Sequence, residues 1–145
     1  MKDKYLRFTN LITDIIRNIR RLTAEATVAY NLKRSYVPCL YFLYKQGPLS
    51  ATKLTKLCAE DKANVSRTLR ALEDDCLIVK EIRSSGRTRL MLTESGMEIG
   101  KYLVDRVNEA VSRATLGLTD GEVESMYKSL EAINLNLSCA LLSAD

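Results

Sequence analysis

The chain has 145 residues, 46% of them hydrophobic and 28% charged, with six glycines, two prolines and no histidine. That is the length and composition of one ordinary globular domain, and no apolar run reaches the roughly 18 residues of a membrane span. The absent histidine excludes a Ser–His–Asp triad, a histidine general base and every histidine-ligated metal, and the net charge is only +4.

Residues 5–29 read as one long helix, with Phe8, Ile12, Ile15, Ile19, Leu22 and Ala26 at steps of three and four and Leu11 and Ile16 widening the stripe. Ser35 is placed to cap a second helix running to about Gln46, with Pro38 tolerated in its first turn and Gly47-Pro48 ending it. Ser50 opens a short helix to about Cys58, with Leu54 and Leu57 inward. Asp61 caps the next, over about 62–76, whose apolar seam is Val65, Leu69, Leu72 and Cys76. Two short helices joined by a turn of a few residues form a helix-turn-helix.

The period then changes. Leu77–Ile82 is strand-like, Arg83-Ser84-Ser85-Gly86-Arg87 is a turn, and Thr88–Thr93 alternates with Leu90 and Leu92 on one face. This predicts a β-hairpin wing. Helix resumes at Thr93 and runs to about residue 115, with Gly117 beyond its end. Thr119 caps a last helix with the stripe Val123, Met126, Tyr127, Leu130, Ile133, Leu137 and Leu141. The expected fold class is mainly α with a small β-hairpin: a winged helix-turn-helix carrying long N- and C-terminal helices. Residues 35–93 form the winged region, and 1–34 and 94–145 the helical dimerisation region. A winged core of this size leaves the terminal stripes uncovered, and a second copy of the chain is the expected cover.

Charge follows the same division. Residues 1–93 carry 18 Lys and Arg against 9 Asp and Glu, whereas residues 94–145 carry 4 against 9. A basic front and an acidic back suggest that the front meets a polyanion. Val65, Leu69 and Leu72 point inward, which leaves Ala63, Asn64, Arg67, Thr68, Arg70 and Ala71 on outer faces. Lys62, Ala63, Asn64, Ser66 and Arg67 form the N-terminal end. Small and hydrogen-bonding residues there suit a helix entering the major groove, where Arg reads guanine and Asn reads adenine. Between Ile82 and Glu94 the charged residues are Arg83, Arg87 and Arg89, with no acid. A narrow basic tip suits a minor groove.

Other chemistry finds little footing. Cys39, Cys58, Cys76 and Cys139 contain no Cys-x-x-Cys pair and sit among apolar neighbours. They read as buried free thiols in a reducing cytoplasm, since the charged N-terminal stretch is no secretion signal. Glu60-Asp61 and Asp74-Asp75 serve capping and helix ends rather than acid–base catalysis. No phosphate-cradling glycine motif occurs. An enzyme is not expected, nor a cofactor or metal. Tyr30, Tyr36, Tyr41 and Tyr44 cluster in sequence near the joint of the first two helices and are candidate walls of an effector pocket.

Asp61-Lys62-Ala63-Asn64-Val65-Ser66-Arg67-Thr68-Leu69-Arg70-Ala71-Leu72-Glu73 resembles the recognition-helix signature of the MarR (multiple antibiotic resistance regulator) family. Leu77-Ile78-Val79-Lys80 resembles that family's first wing strand, and Leu92-Thr93-Glu94-Ser95-Gly96 its Leu-Thr-x-x-Gly junction into the dimer helix. The resemblance implies a homodimeric regulator, often a repressor, that binds a pseudo-palindromic double-stranded DNA operator. Release by a phenolic or other apolar small molecule, or by oxidation, is also implied. By the same resemblance Ala63, Asn64, Ser66 and Arg67 face bases, and Ser50 and Thr52 lie near phosphates. The family's wing usually carries Asp-x-Arg at its tip, where a gapless count puts Ser84 and Gly86. Arg87 is the expected minor-groove residue, with Arg83 and Arg89 as alternates. Oxidation-sensing members carry their cysteine in the first helix and zinc-sensing members need histidine; this chain has neither. The alternative is a dimeric winged-helix protein-interaction module, which has no need of a basic wing and a basic recognition helix together.

Overall fold

Three of the capping residues expected from the sequence hold their helices in the computed structural model, which describes residues 2–143. Ser50 Oγ accepts from the Lys53 N–H (3.2 Å) at the start of α3, Ala51–Cys58. Asp61 accepts from the Asn64 N–H (2.8 Å) at the start of α4, Lys62–Asp74. Thr119 and Glu122 form a reciprocal capping box at the start of α6, Asp120–Leu142. Each such cap is worth about 1 kcal/mol. Ser35 is different. It precedes α2, Tyr36–Gln46, but its backbone is already helical (φ −63°, ψ −20°) and its side chain makes no capping bond. A capping side chain needs extended backbone beneath it, so the expected cap fails there.

The chain divides into two compact units, residues 1–110 and 111–145. In the first, α1 (Lys2–Ala29) leads to α2, α3 and α4, then to the antiparallel strands β1 (Ile78–Ile82) and β2 (Thr88–Leu92). Helix α5, Glu94–Ala114, follows and continues into the second unit, where α6 lies. Met1, Ala144 and Asp145, the outermost residues of the expected helical segments, lie outside the described residues. No helix among the described residues is long and apolar enough to cross a membrane.

The core of the first unit joins all its elements. Tyr36, Cys39, Leu40 and Leu43 come from α2, Leu54 from α3, Val65, Leu69 and Leu72 from α4. Ile78 and Leu90 come from the strands, and Ile99 and Leu103 from α5. Thr68, expected on an outer face, is also buried, and Ala71 is half-buried. Thr68 sits one residue before Leu69 and three after Val65, so it flanks the inward stripe. Cys76 leaves the expected seam: α4 ends at Asp74, and Cys76 lies beyond it, exposed, at φ +57°. Cys139 is exposed as well and Cys58 half-buried, so of the four thiols only Cys39 is fully buried as expected.

Two features tie the hairpin to the helices. Leu49 and Leu90 exchange both backbone bonds (2.8 and 3.2 Å), adding an isolated bridge beside β2. Thr93 donates its hydroxyl to the Cys76 carbonyl (2.7 Å) and accepts from the Gly96 N–H (3.1 Å). A Cβ at Gly96 would lie 2.1 Å from the Leu77 carbonyl oxygen, so only glycine lets α5 start this close to the chain leaving α4.

Candidate nucleic-acid interface

The N-terminal end of α4 is built around Asp61. One carboxylate oxygen caps the helix and the other accepts from the Asn64 side-chain amide (2.7 Å). The Asn64 carbonyl oxygen in turn accepts from the Arg67 guanidinium. Asp61, Asn64 and Arg67 stand one helical turn apart and form a chain of polar contacts along the exposed surface. The arrangement holds Asn64 and Arg67 in set orientations before any ligand arrives, which lowers the entropy lost on binding. Lys62, Ala63, Ser66 and Arg70 are exposed beside them.

The wing is a three-residue hairpin loop. Ile82 pairs with Thr88, the Arg83 N–H donates to the Arg87 carbonyl (2.9 Å), and the Gly86 N–H donates to the Arg83 carbonyl (2.8 Å). Gly86 supplies the left-handed conformation that this loop needs, at φ +78°. Arg83 and Arg87 therefore flank the turn and are exposed, whereas Arg89, further down β2, is half-buried.

Three hollows gather the expected residues. One of about 590 Å³ is lined by Ser50, Arg83, Arg87 and Arg89, together with Lys53. Four cations and no carboxylate line it. A second of about 590 Å³ is lined by Thr52, Lys62, Ser66 and Arg70, with Lys56 and Lys80 added, and shares Thr88 with the first. The third, about 420 Å³, has Asn64 and Arg67 on its wall. Ala63 lines none of the three. Lys53, Lys56 and Lys80 are thus members that the sequence reading missed. The two α3 lysines could have been found there, because Leu54 and Leu57 face inward and leave positions 53 and 56 outward. Lys80 also pairs with Glu73 (3.1 Å), bracing β1 on α4, though partial exposure makes that bond a modest contribution.

The four candidate pocket tyrosines do not share a wall. Tyr30 meets Tyr102 edge-on (5.2 Å between centroids), Tyr41 meets Phe42 (5.4 Å), and Tyr44 lies against Gly100. Only Tyr36 lines the third hollow. Each aromatic ring finds its own packing partner, which is the commoner use of aromatic residues at helix joints. Tyr36 is buried and its hydroxyl donates to the Asp75 carboxylate (2.6 Å), linking the start of α2 to the end of α4. Burial, then the bond to Asp75, pushes its pKa up from 10.0 to about 12.

No family model and no curated protein sequence matches the chain. Solved structures do. Staphylococcus aureus MepR in its DNA-binding conformation superposes with a TM-score of 0.81 at 21% identity, over 90% of this chain and 98% of that one. The S. aureus MepR–DNA complex gives 0.80 at 21% identity, over 90% and 96%. A Listeria monocytogenes MarR-family regulator complexed with a 26mer DNA gives 0.79 at 20% identity, over 92% and 91%. The chain has the winged helix-turn-helix fold of MarR-family regulators over nearly its whole length.

Proposed function

We propose that the chain is a MarR-family transcription regulator: a homodimer that binds a pseudo-palindromic DNA operator. Helix α4 enters the major groove and the β1–β2 wing the minor groove of each half-site. Residues 35–93 read DNA, and 1–34 with 94–145 dimerise, in a cytoplasmic protein with no enzymatic activity. The observation that carries the reading is the pairing of two surfaces in one fold. One is the Asp61–Asn64–Arg67 chain on an exposed helix end, with donors suited to base edges. The other is the hollow lined by Lys53, Arg83, Arg87 and Arg89 without an acid, suited to phosphate oxygens.

Dimerisation is supported by the terminal helices. On α1, Phe8, Leu11, Ile15, Ile16, Ile19 and Leu22 are exposed. On α6, Tyr127, Leu130, Ile133, Leu137 and Leu141 are exposed. A soluble chain rarely leaves two such stripes in water, and a second copy carries matching ones. Action as a repressor released by a phenolic or other apolar effector rests on the likeness to the family. The four tyrosines lend no common pocket to it.

Gel shifts with total genomic fragments at low and high salt, combined with sedimentation, test the proposal. The expected result is a dimer that retains a small set of fragments as salt rises. Equal affinity for all fragments, lost together at moderate salt, would overturn sequence-specific recognition. The genes beside the retained fragments then direct the search for an effector.

A further inference from the structure

A hollow of about 550 Å³ outside the surfaces described above is lined by Arg17, Arg20, Arg21 and Ala24 of α1 and by Arg34 from the connection to α2, and no carboxylate lines it. Arg17 pairs with Asp14 (2.9 Å). Arg20, Arg21 and Arg34 are exposed, and among the described residues their guanidinium groups have no hydrogen bond or ion pair. Arg106, by contrast, reaches both Glu25 and Glu109. Like charges gathered without a counter-charge repel one another and concentrate anions from outside, so this surface suits an anionic partner.

Its place in the fold says which one. Lys33, the neighbour of Arg34, lines the hollow of about 420 Å³ whose wall holds Asn64 and Arg67, with Glu60 as the one carboxylate there. A positive band therefore continues from Arg67 through Lys33 and Arg34 to Arg20 and Arg21. It lies on the side of α4 away from the wing: Asn64, Arg67 and Ala71 line this hollow, whereas Ser66, Arg70 and Glu73 line the one that shares Thr88 with the wing. Helix geometry also separates the band from the apolar stripe of α1. At about 100° per residue, Phe8, Ile12, Ile15, Ile19 and Leu22 fall on one side, and Arg17, Arg20 and Arg21 lie within about 60° of the opposite direction. A second copy that covers the stripe leaves the arginines open. The acidic α6 of that copy is a poor occupant as well: Glu122 closes its own capping box and Glu124 pairs with Lys128 (3.6 Å).

We propose that α1 and its connection to α2 form a third DNA contact: Arg20, Arg21 and Arg34, with Lys33, hold backbone phosphates beside the bases that α4 meets, on the side opposite the wing. This rests on the DNA reading above and adds grip without adding base readout. Arg17 to Arg21 spans about 6 Å of helix at 1.5 Å per residue, and a duplex carries one phosphate charge per about 1.7 Å of axis, so several phosphates come within reach of one face. Guanidinium groups meet phosphate oxygens through paired N–H donors, and such contacts fix orientation and register while carrying no sequence information.

The test compares the full chain with a triple variant, Arg20→Ala, Arg21→Ala and Arg34→Ala, at several salt concentrations. The probes are an operator fragment from the genomic selection and a non-operator duplex of equal length. On both, Kd should rise at least about tenfold, and the slope of log K against log salt should fall by about two to three per chain. The ratio of the two affinities should stay close to the parent's, unlike that of Arg67→Ala. Ethylation of certain operator phosphates should impair the parent and no longer affect the variant. Lysine at the same three positions should restore the slope, because the contact needs charge, and sedimentation should show the parent's assembly throughout. An unchanged slope would overturn the contact; if inorganic tripolyphosphate then raised the Tm of the parent alone, the hollow would belong to a small polyanion. A variant that sediments as a monomer where the parent is a dimer would assign the arginines to the second copy and overturn the proposal. Failure of the DNA reading looks different. A parent that binds both duplexes equally fails as a sequence-specific regulator, and the salt slope still decides the contact. A parent that binds neither overturns both.

Discussion

Helix α4 places Val65, Leu69 and Leu72 in the core of its own unit, whereas α6, with apolar residues at the same steps of three and four, has no buried residue. On α6, Tyr127, Leu130 and Ile133 remain 43%, 41% and 36% exposed. Both helices start at a side-chain cap, so local signals do not separate them. What separates them is where their apolar faces are satisfied. The face of α4 is consumed in positioning a polar surface for something outside the chain. The face of α6 is itself the surface left over, and a second copy is its proposed cover.

The contrast is sharpest under substitution of one apolar residue in each helix. Leu72→Ala should cost about 2–5 kcal/mol of unfolding free energy relative to the parent chain, measured in urea at one protein concentration. Ile133→Asp should instead act on assembly, costing more than about 2 kcal/mol of association in sedimentation, while circular dichroism shows most of the helix content retained. If Ile133→Asp left the dimer intact, the face of α6 would not be the contact.

Asp61→Ala comes next in size. It should cost about 1–2 kcal/mol of stability as a lost cap and also reduce discrimination among operators, because Asn64 loses its anchor. Asp61→Asn should recover most of the stability. Denaturation and operator binding together check that the two roles belong to one residue.

A pH dependence sharpens the account of the first unit from its other end. Tyr36 has its folded pKa raised from 10.0 to about 12. Its contribution to stability is therefore fully present below about pH 10 and is lost as pH rises through about 12. Urea midpoints of the parent should fall more steeply over that window than those of Tyr36→Phe, which lacks the titrating group. Parallel curves would mean that the Tyr36 hydroxyl is neither buried nor bonded to Asp75 in solution.

The order of elements was legible because the apolar period changes from three and four to two at Leu77 and back at Thr93, and because Ser50, Asp61 and Thr119 stand before periodic runs. The misses have local causes. Ser35 had the right side chain on the wrong backbone. Cys76 continued the spacing of α4 after the helix itself had ended. The pairing of Leu49 with Leu90 joins a single bridge residue to a strand 41 residues on, and no period marks so short a segment. At the site, Asn64, Arg67 and the wing arginines were readable as residue types on exposed positions. Their connections were not. The bond from Arg67 to Asn64, the bond from Tyr36 to Asp75 and the meeting of Cys39 with Cys58 depend on rotamers or on long-range packing.

The central claim is that α4 reads sequence while the wing grips the backbone. It is tested most directly by titrating Arg67→Ala and Arg87→Ala against a panel of shuffled operators at several salt concentrations. Arg67→Ala should cost about 1–3 kcal/mol per half-site and flatten the preference among operators. Arg87→Ala should weaken binding more evenly, lose some preference for A·T-rich flanks, and lower the slope of log K against log salt by about one per chain. Full discrimination retained by Arg67→Ala, or indifference to half-site centres placed about one helical turn apart, would contradict the assignment of α4.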